Sequence, residues 1–368
     1  MIQGNVRKGI LLILITLSSL FLVSTGLLNV RSVAAASRSA TVIHDGIAIH
    51  SDAEFTSTNG VGSGSGTPAD PYVIENWDIE VPAYSVPVVF PGGTYLAGIL
   101  IANTTAHVVL RNVQVHSGFP EWGVNLGIVL WNTTNVAVES SRVWNGNHGV
   151  LMLGAKDSRI VLNEFYNLIE AVAIAGGVPS NAFVATGNVI SQNTIHDARA
   201  VGIEVLNSSR NMIRNNSISR SLWGALFESG SIGNVFSMNR IINSTVGVEA
   251  LYSSYNNTIS GNFFDVKIEG IGIGFGSNGT LVRSNEVHSL QWGINLIEVS
   301  GSEVSRNHVQ ASDVGINLLR AATMNIITGN VVASHTGIFV CRTSIGSNSL
   351  APPPNDLRAS DRPIEHCH

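Results

Sequence analysis

Apolar residues return along this chain in pairs two positions apart, and the pairs return every 22 or 23 residues. The phrase Gly-(Ile/Val)-x-apolar stands at Gly98-Ile99-Leu100-Ile101, Gly127-Ile128-Val129-Leu130, Gly202-Ile203-Glu204-Val205, Gly293-Ile294-Asn295-Leu296, Gly315-Ile316-Asn317-Leu318 and Gly337-Ile338-Phe339-Val340. Gly149, Ala171, Gly224, Gly247 and Gly270 fill the series. Two steps are longer, the second at an insertion around Gly176-Gly177-Val178-Pro179. A second landmark keeps the same beat: Asn163, Asn193, Asn216, Asn239, Asn262, Asn285, Asn307 and Asn330. Each has an apolar residue two positions after it (Phe165 to Val332) and another three before it (Ile160 to Ile327).

A spacing of two is the signature of a strand, in which alternate side chains share a face. The residues one and three after each glycine therefore point inward. The x residue points out, and the glycine points out or lies at the turn. One repeat cannot bury its own apolar face, so like must stack on like, each strand pairing in parallel with its copies about 4.8 Å away. The pattern predicts an all-β fold, a single-chain right-handed parallel β-helix of about eleven coils with an N-terminal cap. Helical repeats conflict with the period-2 pattern and dense β-branching, a leucine-rich horseshoe with the missing Leu framework, and a propeller with the short repeat. The recurring Asn is expected to adopt the left-handed conformation of a sharp turn and to hydrogen-bond coil to coil. The expected organisation is 1–36 signal peptide, 37–97 cap and first strands, 98–350 repeats, and 351–368 a loosely ordered polar tail.

The first segment has the order of an export signal: Arg7 and Lys8, an apolar run from Ile10 to Leu28, and a small-residue site at Val33-Ala34-Ala35-Ala36. Its length would also suit an uncleaved anchor, although Thr16, Ser18, Ser19 and Ser24 speak against that. No later stretch resembles a membrane span, so the expectation is a secreted or extracytoplasmic protein. Only 12% of the 368 residues are charged, the net charge is −5, and no basic block occurs, which argues against nucleic acid as a partner. The two cysteines, Cys341 and Cys367, are candidates for one disulfide tying the tail to the last coil. His366-Cys367-His368 has the look of a metal hook, but so short a set on a chain end is no metal site, and no metal or cofactor is expected.

With its G-I-x-L and N-x-I-x-x-N-x-I phrases, the stretch from about Gly98 to Val340 resembles the secreted β-helix family that includes NosD-type periplasmic proteins. That family shares its fold with pectate lyases and polygalacturonases. The run from Gly64 to Trp77 resembles the lead-in of archaeal surface members. The resemblance implies carbohydrate binding or sugar hydrolysis, or help with copper-site assembly. No methionine-rich or clustered-histidine segment supports the copper role. Polygalacturonase chemistry lacks its residues here: no Asp-Asp pair occurs, and Asn147-His148-Gly149 only partly echoes Gly-His-Gly.

Two outward columns carry the remaining candidates. In the x column, Glu204 and Glu249 stand two coils apart, roughly 9–10 Å between backbones. That is too far to share a calcium ion and near the carboxyl spacing of an inverting glycosidase. These two, with Asp197, are the candidate catalytic carboxylates of a polysaccharide lyase or glycosidase. The plainer reading is isolated glutamates on a solvated strand. The column just after the Asn turn brings Trp144, Tyr166 and His196 onto neighbouring coils beside Asn145, Asn167 and Asp197. Aromatic faces with amide and carboxylate neighbours suit a polysaccharide or envelope glycan bound without catalysis. The plainer reading of this patch is aromatic stacking for stability.

Overall fold

Successive repeats close into coils that stack as a right-handed parallel β-helix, about ten turns long. The computed structural model describes residues 41–366 apart from 91–92, 119–124, 177–183, 342–343, 345–347, 351–353 and 359–361. The export signal, Cys367 and His368 lie outside the described residues, and with Cys367 so does the expected disulfide. Among the described residues, one sheet gathers 23 strands and a second gathers 12.

One coil illustrates the rest. Met212–Arg214 lies in the smaller sheet, while Ser217–Ser219 and Trp223–Glu228 lie in the larger one. Its successor stacks in parallel, with Ile213 against Phe236, Ile218 against Ile241, and Leu226 against Glu249. Ile213, Ile218, Ala225 and Phe227 point inward and are fully buried. Burial of such a side chain is worth about 1.5–3 kcal/mol, gained only when a neighbouring coil completes the stack. The anchor glycine is required by close approach. A Cβ on Gly247 would stand 2.2 Å from the carbonyl oxygen of Gly270 and 2.4 Å from the Phe264 ring.

The asparagines form the expected ladder. Asn216 donates from its backbone N–H and its Nδ2 to Asn239 Oδ1 at 2.9 and 3.0 Å, and from Nδ2 to the Ile190 carbonyl at 2.9 Å. The motif repeats from Asn163 to Asn330 and continues to Asn355. A second ladder of the same kind joins Asn188, Asn211, Asn234 and Asn257 at the other end of the smaller sheet. One expectation is corrected. The ladder Asn does not take the left-handed conformation; the residue before it does. Leu162, Gln192, Asn215, Met238, Ser284 and Arg306 all have φ between 53° and 59°, and Gly261 and Gly329 serve on two other coils. This turns the chain while leaving the following amide aimed inward.

The ends also differ from expectation. The N-terminal region is not merely a cover: Tyr72–Glu75 and Trp77–Val81 pair in parallel with Val108–Arg111 and Gln114–Ser117 as an additional coil. At the other end the presumed loose tail continues the stack. Asp356–Arg358 pairs with Val331–Ala333, and Arg362–His366 with Thr336–Val340. Its Asn355 supplies the acceptor that Asn330 needs, which is why a polar segment remains in register.

Candidate functional site

The column after the Asn turn assembles as the spacing predicts. His116, Trp144, Tyr166 and His196 are register partners on successive coils. Their rings stack nearly parallel, with centroids 4.3, 5.5 and 5.2 Å apart and interplanar angles of 10°, 5° and 7°. The flat faces are thus taken up by neighbouring rings, and edges face outward. Asn145, Asn167 and Asp197 have φ of 54–59° and turn the chain beside the stack. Asn145 donates to the Ser117 carbonyl at 3.1 Å. Asp197 accepts from both Nε and Nη2 of Arg220 at 2.7 Å, and its Oδ2 lies 2.8 Å from His196 Nδ1. The Arg220 hydrogen bonds, aided by His196, hold this carboxyl below its ordinary range.

A different set of residues meets on the larger sheet's outward face. Positions one before, two after and four after the anchor glycine all point that way. The middle column runs Ala173, Glu204, Leu226, Glu249, Gly272, Asn295, Asn317. Beside it run His148, Glu170, Val201, Trp223, Val246, Glu269 and Trp292, and Glu228 follows Leu206 on the other side. Five glutamates therefore occupy five consecutive coils of one face, and none of these column residues is Lys or Arg.

These glutamates are not solvated surface residues. Glu204, Glu170 and Glu269 are only 5%, 6% and 9% exposed. Burial pushes the Glu204 carboxyl well above its ordinary value; the charges of Glu170 and Glu228 and a hydrogen bond with Glu170 push the same way. Burial, with the Glu249 charge, raises Glu269 to about 8 against an opposing hydrogen bond from Asn295. Glu228 and Glu249 are also raised, mainly by burial. Glu249 is held by Trp223 Nε1 at 2.9 Å, and Glu170 Oε2 lies 3.0 Å from His148 Nε2. Asn317 donates to Asn295 Oδ1 at 2.5 Å.

The structure thus gives Glu204 and Glu249 the predicted two-coil separation and adds what a single-column reading misses: Glu170, Glu228, Glu269, His148 and Trp223. The available signal was that glutamates also fill the two flanking outward columns of the same coils. Asp197 does not join the row. It belongs to the ring column.

The sequence profile of a family described as periplasmic copper-binding protein (NosD) matches residues 88–269 and 233–351. No curated protein matches the chain. Among solved structures, a mutant of the periplasmic alginate epimerase AlgG aligns at a TM-score of 0.54 and 14% identity, over 81% of this chain and 86% of that one. A mutant tailspike protein of E. coli bacteriophage HK620, in complex with a hexasaccharide, aligns at 0.58 and 14% identity, over 76% of this chain and 58% of the tailspike chain. At such identities the likeness is one of fold. Copper centres are built from thiolate, thioether and imidazole donors. Among the described residues, no three His, Cys, Asp or Glu side chains gather as ligands. His116 and His196 are in the ring stack, His148 faces Glu170, and His288 faces Glu286 at 3.3 Å. The described residues do not fit a copper centre.

Proposed function

This chain belongs to the NosD family of periplasmic copper-binding proteins, and from that premise we propose that it is an extracytoplasmic scaffold binding a neutral polysaccharide along the larger sheet's outward face. The carrying observation is the row of five glutamates with no Lys or Arg in its columns. Burial raises the proton affinity of Glu204, Glu228, Glu249 and Glu269, and a carboxyl that holds its proton both donates and accepts hydrogen bonds. With Trp223, Asn295 and Asn317, the row is a strip of paired donors and acceptors suited to sugar hydroxyls. A polyanion would meet repulsion from whichever carboxyls ionise. Half-buried Trp223, Leu226, Glu228 and Glu249 are the members a ligand reaches first. Among the fold's relatives, one is an alginate epimerase and another holds a hexasaccharide, which supports a glycan as the ligand class. The ring column of Trp144, Tyr166, His196 and Asp197, with Asn145 and Asn167, is the alternative contact surface, reached through ring edges.

Retention of the processed chain on immobilised neutral and acidic polysaccharides tests this reading. The expected result is retention by a neutral polymer, weakened by Trp223→Ala and Glu228→Lys and unchanged by Trp144→Ala. Retention by polyanions alone, or indifference to both sheet-face variants, overturns it. One observation favours a second, enzymatic reading. Glu204 shares a hydrogen bond with Glu170, which in turn faces His148, and such a set can trade a proton. New reducing ends or unsaturated products that vanish in Glu204→Gln would establish a glycosidase or lyase.

A further inference from the structure

We infer that a second saccharide subsite lies in the groove along the last coils, where Asp265, His288 and Gln310 continue the column that begins with His116 and Trp144. It rests on the glycan-binding reading above and concerns different residues.

In the early coils the corner after this column is closed. The gap among Ser117, Trp144, Asn145, Gly146 and His148 measures only about 10 Å³. In the late coils no large ring fills it, and an open groove of about 390 Å³ runs past Asp265, His288, Ser289, Leu290, Gln310 and Ser312. That volume lies within the range of small-ligand sites. The register aligns Asp265 with His288 and Gln310, and Val266 with Ser289 and Ala311. The lining is thus three parallel columns following the helix axis. Over three coil spacings the groove extends on the order of 14 Å, room for a short stretch of linear oligosaccharide.

The chemistry of the lining suits sugar. Carboxylate, imidazole, amide and hydroxyl groups alternate with the small apolar surfaces of Val266, Ala311 and Ala333, and Leu290 is 65% exposed beside them. The Phe263 ring meets the His288 ring edge to face at 5.5 Å and fixes its orientation. Ser289 is only 7% exposed, and among the described residues its Oγ has no hydrogen-bond partner. That hydroxyl lies below the groove, in register with the core residues Val266 and Ala311, so the groups a ligand meets are the half-buried His288 imidazole and the exposed Asp265 carboxylate, Gln310 amide and Ser312 hydroxyl. The lining carries one carboxylate and no Lys or Arg, so the ligand class is a neutral oligosaccharide.

The test is calorimetric titration of the full chain with hexamers of glucose, xylose, mannose and N-acetylglucosamine. Thermal melting checks that each variant is folded. At least one hexamer is expected to bind. Gln310→Ala, at an exposed position of the lining, should weaken it about tenfold, the worth of one neutral hydrogen bond. Ser312→Trp, at an exposed position on the rim, should block it, while Met212→Ala on the smaller sheet leaves it unchanged. The subsite is overturned if no hexamer binds, or if a bound hexamer ignores both groove variants. Polymer retention that falls with Trp223→Ala while hexamers ignore the groove would sink the subsite and keep the sheet face. Loss of all glycan binding through the groove variants alone would do the reverse.

Discussion

Two kinds of buried polar column run up this molecule, and they are built on opposite terms. In the asparagine ladders each side chain donates to the next and to a backbone carbonyl, at distances near 2.9–3.2 Å. Every rung satisfies its neighbour, and none carries charge. In the glutamate row, carboxyls from three adjacent columns lie near one another with no Lys or Arg in those columns; the charges of Glu170 and Glu228 add to burial in raising Glu204, and that of Glu249 adds to burial in raising Glu228 and Glu269. The ladders explain themselves as scaffold. Once ionised, the glutamate row opposes the fold it sits on, and a feature that opposes stability points to a role outside it.

The largest expected contrast is in pH. A carboxyl whose folded pKa is raised stabilises the fold fully below its unfolded value and loses that contribution as pH climbs through the folded value. For Glu269 the window runs from about 4.5 to about 8, and the upper bound for this group alone is roughly 4–5 kcal/mol. Urea unfolding should therefore show greater stability at pH 5 than at pH 9, and Glu269→Gln should reduce the difference, leaving the part that Glu204, Glu228 and Glu249 contribute. Equal stability at both pH values in the parent protein would contradict the account. The ladders do not titrate, so their test is removal. Asn239→Ala takes the acceptor from Asn216 and a donor from the Ile213 carbonyl. It should cost about 3 kcal/mol in the same unfolding measurement, at every pH. A loss under 1 kcal/mol would mean that the ladder is decoration.

Smaller effects sharpen the comparison. Met238 is 65% exposed and left-handed at φ 53°. Met238→Gly should raise stability by about 1 kcal/mol, because strain is relieved and little packing is lost. Asp197 should show the opposite pH sign to the row. Its carboxyl is held low by Arg220, so its contribution is present above the unfolded value and is lost as pH falls. With Arg220 exposed, Asp197→Asn should cost at most about 1 kcal/mol at pH 7.

The scaffold was legible because its signals are periodic. Inward Ile, Val and Phe and the stacked Asn must recur at fixed spacing, so each repeat tests the others. What the repeat did not reveal was which residue bends the backbone: Leu162 and Met238 are left-handed against their own preference, imposed by the amide that follows. The ring column of Trp144, Tyr166 and His196 was readable as a column, with stacking as its plainer reading; the near-parallel ring angles were not, since ring rotation lies outside the spacing. Glu204 and Glu249 were visible as a pair two coils apart. Their burial, and their company with Glu170, Glu228 and Glu269, depends on three outward columns lying side by side, which emerges only when the coils are stacked.

The most direct test of the glutamate row is retention by a neutral polysaccharide as a function of pH, for the parent chain and Glu269→Gln. The account predicts parent retention that falls as pH climbs through about 8, the value to which Glu269 is raised, and a smaller fall in the variant, in which Glu204, Glu228 and Glu249 still titrate. Parent and variant tracking each other across the whole range would contradict it.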